Sequence, residues 1–175
     1  MEHSNKNQGW YALRVFHQHH ERLKSHLERE GIQLYAPMTT EWKEKSGQKY
    51  KETKAIGNLL FLYSTQEFIL QLRRLNDVFV YCSPGSSLPA EIPEREVEIL
   101  QRVVEISNGE VEYFEKTELL GKSGVRVEII DGSFRGMTGI LRYVRKKKRV
   151  VINVEGICSV VILQHIPPQY IRVIE

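Results

Sequence analysis

The C-terminal part of the chain alternates apolar and polar residues with a period of two, which constrains the fold more than any other feature. Five short segments of this kind follow one another within about 50 residues: VRVEII, TGILRYV, RVVINV, CSVVIL and YIRVI. Side chains of a β-strand point alternately to its two faces, so such segments are typical of strands with one buried face. Their close succession predicts a small five-stranded β-barrel over residues 124–175.

Helical and strand patterns alternate in the residues before this point. WYALRVF has the aromatic and β-branched content of a strand, and NLLFLY is a continuous apolar run typical of a central strand buried on both faces. Leu23 and Leu27 lie on one face of a helix, and Pro93 opens an amphipathic helix. With strands at IQLYAPM, KYKETKA and DVFVYC and a helix at QEFILQLRRL, the order predicts an α+β fold, a sandwich with a mainly antiparallel sheet, over residues 8–108.

Charge is distributed unevenly along the chain. Residues 1–108 hold 14 Lys and Arg against 14 Asp and Glu, and residues 109–123 hold two against four. Residues 124–175 hold nine against four. We therefore expect a connector at 109–123 and a basic C-terminal domain suited to a polyanionic partner.

Several classes of protein are excluded by what the chain lacks. No apolar run approaches the roughly 18 residues of a membrane span, and the polar start MEHSNKNQGW lacks the apolar core of a signal peptide. Cys82 and Cys158 lie far apart and predict small buried residues rather than a disulfide. No GxSxG, P-loop, HExxH or dinucleotide-binding fingerprint is present. We expect a cytoplasmic protein that is not an enzyme.

Histidines cluster at the start of the first predicted helix. His17, His19 and His20 fall within four positions, and His26 follows on the same helix. No neighbouring carboxylate or cysteine pattern completes a metal site, so a surface helix entry is favoured. We expect neither a metal nor a cofactor.

One motif connects the C-terminal strands to a known family. GVRVEIIDGSFRGMTGILRYV is similar to the KOW motif, a Val-x-Val strand followed by Gly-x-Phe-x-Gly-x-x-Gly and a second strand, with Ser133 where that motif often has proline. Behind an N-terminal domain that opens WYALRV, this arrangement resembles the NusG family of transcription elongation factors across nearly the whole chain. HLER and APM stand at the same distances from Trp10 as in the RfaH-like branch, which regulates bacterial surface-polysaccharide operons.

The resemblance implies three segments and a first partner. These are an NGN-like domain at residues 8–108 that binds RNA polymerase, a linker at 109–123 and a KOW β-barrel at 124–175. An apolar pocket would dock on the clamp helices of the polymerase β′ subunit, using Arg14, Ile56, Leu59, Phe61 and Tyr81. Gly57 stands where the family has proline, and Leu59 stands where it has tyrosine. Alternatively, Leu59 and Phe61 are core residues of the central strand.

The resemblance also implies contact with the non-template DNA strand. The matching positions are His17, Arg22, His26 and one of Arg73 or Arg74. Arginine offers a charged fork to phosphates and guanine edges, and histidine stacks on bases. The alternative is ordinary solvated helix charge.

Five consecutive basic residues join the second and third strands of the predicted barrel: Arg145, Lys146, Lys147, Lys148 and Arg149. They predict a salt-dependent, sequence-blind attraction to RNA, ribosome or DNA phosphates. The alternative is a hydrated turn that blocks edge pairing.

Together these features predict a monomeric transcription elongation or antitermination factor that suppresses pausing or termination at specific operons. The KOW domain would recruit a second partner such as the small ribosomal subunit. The competing hypothesis is a ribosome- or RNA-associated KOW protein without polymerase docking.

Overall fold

The computed structural model describes residues 8–16, 18–115 and 123–174. In chain order, the strands in these ranges are β1 (Gln8–Val15), β2 (Gln33–Tyr35), β3 (Met38–Lys45), β4 (Gln48–Ala55), β5 (Leu59–Thr65), β6 (Val78–Val80), β7 (Val111–Glu115), β8 (Val125–Ile129), β9 (Thr138–Val144), β10 (Lys147–Val154), β11 (Cys158–Ile162) and β12 (Ile171–Val173). The helices are α1 (His19–Arg29), α2 (Gln66–Leu72) and α3 (Glu94–Ile106).

The chain divides into two compact units. The first consists of the described residues of Met1–Pro37 and Ala55–Val97, and the second of those of Met38–Lys54 and Glu98–Glu175. Within the described ranges, no helix is long and apolar enough to cross a membrane.

The first unit is built on an antiparallel sheet. Its described strands lie in the order β2-β5-β1-β6, with β1 and β5 paired from Gln8 opposite Thr65 to Arg14 opposite Leu59. Helix α2 follows β5 directly, and the hydroxyl oxygen of Thr65 caps it by accepting a hydrogen bond from the Phe68 backbone nitrogen at 3.3 Å. The capped start explains why the chain turns from strand to helix at this residue.

One hydrophobic cluster of the first unit lies on one face of this sheet. Leu60 and Leu62 of β5 pack there with Leu13 of β1, Leu27 of α1 and Ile69 of α2, all of them at most 1% exposed. Burying each such side chain stabilises the fold by about 1.5–3 kcal/mol. Neighbouring residues of β5 face the opposite side and are equally buried, so the continuous apolar run is a central strand buried on both faces, as its pattern predicts.

The second unit contains a larger antiparallel sheet. Its described strands lie in the order β12-β8-β9-β10-β11-β7. The five strands predicted from the period-two pattern are β8 to β12, but β7 adds a sixth strand beside β11, pairing from Val111 opposite Ile162 to Glu115 opposite Cys158. Strand β7 lies inside the segment predicted as a connector, because its short acidic sequence VEYFE carries a weak strand signal. The described pairings end at β12 and β7 and do not close into a barrel.

A separate hairpin of β3 and β4 belongs to the second unit. The sequence predicts one strand over IQLYAPM, whereas β2 ends at Tyr35 and β3 begins at Met38. The predicted turn is present, since Ser46 and Gly47 have φ of 53° and 78°. The hydroxyl of Thr39 donates to the carbonyl oxygen of Gly109 at 3.0 Å, which anchors the hairpin to the residues before β7.

Candidate docking face and nucleic-acid interfaces

The face of the first sheet opposite the cluster of Leu13, Leu60 and Leu62 gathers four of the five predicted pocket residues. Arg14 of β1 lies between Leu59 of β5 and Phe79 of β6, and Ala12 lies opposite Phe61. Directly paired residues on neighbouring strands point to the same face. Tyr81, whose backbone nitrogen donates to the Ala12 carbonyl at 3.2 Å, continues this face beyond β6. We call this surface the docking face.

Burial differs sharply among the predicted pocket residues. Leu59 and Phe61 are 0% exposed, and Ile56, in the 3-10 turn before β5, is 1% exposed. Arg14 and Tyr81 are half-buried. The alternative interpretation of Leu59 and Phe61 as core residues therefore describes their environment in this structure. A partner approaching the docking face meets Tyr81 and its neighbours first.

Phe79 was missed by the sequence reasoning. Its side chain is 50% exposed, and its ring meets that of Tyr81 edge-on, with centroids 5.2 Å apart and planes at 87°. The guanidinium carbon of Arg14 lies 5.9 Å from the Tyr81 ring centroid. Aromatic residues and arginine dominate the energetics of many protein interfaces. The signal was available, because Phe79 stands two positions before Tyr81 on a strand.

Helix α1 lines a second candidate site. A cavity of about 440 Å³ lies between α1 and the residues that follow α2. Arg22 and His26, both predicted nucleic-acid contacts, line it together with Arg29. These three residues lie at helical spacings of four and three, so they form one stripe on the helix. Arg29 was missed, although its spacing would have indicated it. We call this the α1 groove.

The other predicted DNA contacts do not join the α1 groove. Arg73 and Arg74 are exposed, and neither lines the cavity. Arg73 donates from Nη1 to the Ser87 carbonyl at 2.7 Å. His17 lies outside the described residues.

The neighbouring histidines have structural partners. His19 Nδ1 lies 2.5 Å from the Asp77 carboxylate at the mouth of the α1 groove. His20 is buried, and its Nε2 donates to the Leu59 carbonyl oxygen at 3.0 Å. In the part of the chain that the structure describes, no group of three or more potential ligands could hold a metal ion.

The basic run of the second unit occupies a tight hairpin rather than a loop. Arg145 and Lys146 form the turn between β9 and β10, and the remaining three basic residues begin β10. Arg145 forms an ion pair with Glu112 at 2.5 Å. Arg149 donates to the Leu163 carbonyl oxygen. Contacts within the unit therefore hold Arg145 and Arg149, the first and last of the five basic side chains.

The protein matches one family model, and that match shows its class. The model, described as "NusG: Transcription termination factor nusG", matches residues 8–101, more than half of the chain. The match places the protein among transcription factors rather than enzymes. The chain belongs to the NusG family.

Solved structures are similar to the chain as well. Fourteen chains match, among them one described as "Domain interaction in Thermotoga maritima NusG". That structure is 20% identical with a TM-score of 0.48, and the alignment covers 97% of this chain and 98% of that one. Among curated proteins, none matches the chain significantly.

Proposed function

We propose that the protein is a transcription elongation or antitermination factor that docks on RNA polymerase through the docking face. Its segments would be an NGN-like domain at residues 8–108, a linker at 109–123 and a KOW domain at 124–175. The observation that carries the proposal is the meeting of Arg14, Phe79 and Tyr81 on one face of the sheet in a member of the NusG family.

The docking face suits a helical partner. Phe79 offers exposed aromatic area at the edge strand β6, Tyr81 continues it beyond the end of that strand, and Arg14 extends it to the neighbouring strand β1. A groove that seats a helix is a common mode of recognition, and the proposed occupant is the pair of β′ clamp helices. Bridging the polymerase in this way would discourage pausing without any chemical step.

The α1 groove would contact the non-template DNA strand. Arg22, His26 and Arg29 supply charge for phosphates and planar groups for bases within one cavity. Arg73 or Arg74 would contribute from the end of α2. The HLER and APM segments support placement in the RfaH-like branch, with control of particular operons such as surface-polysaccharide loci.

The second unit would recruit a further partner, for which the small ribosomal subunit is the proposed candidate. Its basic hairpin favours a second candidate function, that of a ribosome- or RNA-associated KOW protein without polymerase docking. The two functions differ in whether the docking face binds polymerase.

Binding of the full chain to an isolated clamp-helix fragment of β′ tests the proposal. We expect Tyr81→Asp to abolish binding, because it places a charge in an apolar contact. We expect Phe79→Ala to cost about 2 kcal/mol, or roughly a 30-fold loss of affinity. Leu88→Ala, which replaces another half-exposed apolar residue of the first unit, is the matched control and should bind normally.

The melting transition of each variant shows whether the first unit still folds. A folded Tyr81→Asp protein that binds the clamp helices as the wild type does would refute the docking face. Binding of the wild type to ribosomal RNA but not to the clamp helices would instead support the second candidate function.

A further inference from the structure

The turn between β9 and β10 places two long basic residues in a backbone conformation that usually favours asparagine and glycine. Arg145 and Lys146 have φ of 48° and 66°, and Val144 pairs with Lys147 on either side of them. Positive φ at both central residues of a two-residue hairpin loop marks a type I′ turn, for which Asn-Gly is preferred. The left-handed region is unfavourable for long side chains. Backbone strain retained at a particular site points to a function there.

The hairpin of β3 and β4 offers an internal comparison. Its turn residues Ser46 and Gly47 also have positive φ, but glycine occupies the second position. The same chain therefore uses a favourable residue in one turn and two cations in the other. This contrast indicates that the positive charges of Arg145 and Lys146 serve a function other than forming the turn.

An exposed aromatic ring lies beside these cations. Tyr143 is 64% exposed and pairs directly with Lys148, whose Nζ lies 5.6 Å from the centroid of the ring. The next pair on the same face, Leu141 and Val150, lines an apolar cavity of about 270 Å³. The ring and the cavity thus form a continuous surface, which we call the hairpin face.

The charges around the hairpin face favour an anion. Among the described residues, no carboxylate pairs with Lys146, Lys147 or Lys148. The cavity is also lined by Lys148, Gln164 and His165 and contains no carboxylate. A polyanion would therefore complement the positive charge of the hairpin face, which also presents the exposed Tyr143 ring.

We propose that the hairpin face binds single-stranded RNA, with a base stacked on Tyr143 and phosphates contacting Lys146 and Lys148. Single-strand binders combine aromatic rings, which need unstacked bases, with cations that follow the backbone. An acidic peptide would use the charge but not the ring. Gln164 and His165 provide hydrogen-bonding groups for a 2′-hydroxyl. Only the choice of RNA over DNA rests on the proposed function, since a factor bound to polymerase meets RNA as it emerges.

The test measures binding of the full chain to a short labelled oligouridine by fluorescence anisotropy across a salt series. Arg145→Asn/Lys146→Gly installs the preferred turn and removes two charges. We expect it to raise the midpoint of thermal unfolding and to weaken RNA binding at least 5-fold. The slope of log affinity against log salt should fall by about 0.7 for each phosphate that the variant no longer neutralises.

A second variant tests the ring without altering the charge. Tyr143→Ala should weaken binding roughly 10-fold through loss of stacking. Tyr143→Phe keeps an aromatic ring and should bind RNA as the wild type does. Ser46→Asn, in the turn of the β3–β4 hairpin, is the matched control and should leave RNA affinity unchanged.

Three results would overturn the proposal. These are wild-type RNA affinity in the Asn-Gly variant, wild-type affinity in Tyr143→Ala, and equal binding of the wild type to oligothymidine DNA or to a polyglutamate peptide of the same charge. Clamp-helix binding, measured separately with Tyr81→Asp, keeps failure of this proposal distinct from failure of the docking face.

Discussion

The guanidinium carbon of Arg14 lies 5.9 Å from the centroid of the Tyr81 ring, within the range of a cation–π interaction. Arg14 also lies directly opposite Phe79, whose ring meets Tyr81 edge-on. These three side chains fix one another's positions at the edge of the sheet. The exposed part of the docking face is therefore ordered before any partner arrives, which lowers the entropy lost on binding.

We expect the substitutions Arg14→Ala and Tyr81→Ala to be energetically coupled. A half-buried cation–π contact contributes about 0.5–1 kcal/mol, so the double variant should be more stable than the sum of the single effects by that amount. Chemical denaturation of the four proteins in the cycle measures it. A second cycle, which combines Arg14→Ala with Tyr143→Ala in the second unit, is the control. Its two changes in the free energy of unfolding should add within about 0.5 kcal/mol.

We expect the α1 groove to contribute more to DNA binding than the end of α2. Arg22→Ala and Arg29→Ala should weaken recruitment to a paused elongation complex and reduce its salt dependence, because both line one cavity. These exposed substitutions should change the free energy of unfolding by less than about 0.5 kcal/mol. Arg74→Ala, outside the groove, is the comparison. Equal losses from Arg74→Ala and Arg22→Ala would contradict the assignment.

We expect Phe61→Ala to destabilise the first unit by about 3–5 kcal/mol, because the side chain is fully buried and its removal leaves a cavity. Phe79→Ala, at 50% exposure, should destabilise it by less than about 1 kcal/mol. Thermal unfolding of the two variants distinguishes them. A small effect of Phe61→Ala would show that this side chain is available to a partner.

We expect stability to fall in alkaline solution through Tyr11. Burial raises the pKa of this phenol above its ordinary value, and the charge of Glu91 adds to the effect. The folded state therefore favours the neutral phenol. The stability it confers is fully present below pH about 10 and is lost as the pH rises toward the higher pKa of the folded state. Tyr11→Phe should flatten this decline in urea unfolding between pH 9 and 11, while matching the wild-type slope between pH 7 and 8.

Local patterns in the sequence predict most of the helices and strands, but they do not predict which strands pair with one another. Strands β8 to β12 and helices α1 to α3 carry strong periodicity and lie where they are expected. Strand β7 was missed because its glutamates suggested a solvated connector, although Val111 is buried and pairs with Ile162 of β11. The separation of β2 from β3 was missed because the polar residues TTEW gave no apolar alternation.

The sequence indicates which candidate site residues share a face, but not how far each one is exposed. The alternation of β5 identifies Leu59 and Phe61 as sharing a face, but the burial of that face depends on contacts distant in sequence. Arg22 and His26 were placed on one helix by spacing, whereas the cavity beside them requires the residues that follow α2. Local pattern thus identifies faces, and tertiary packing decides which of them a partner can reach.

The hydrogen bond from Thr39 to the carbonyl of Gly109 spans 70 residues of chain. During synthesis, the ribosome adds about 5–20 residues per second, so the donor precedes its acceptor by roughly 4 to 14 seconds. Hairpins form in microseconds, so β3 and β4 pair long before their anchor exists. For that interval the nascent hairpin carries Trp42, still 61% exposed in the finished fold, without its anchor at Gly109. Translation speed between residues 40 and 109 therefore sets how long a chaperone has access to it.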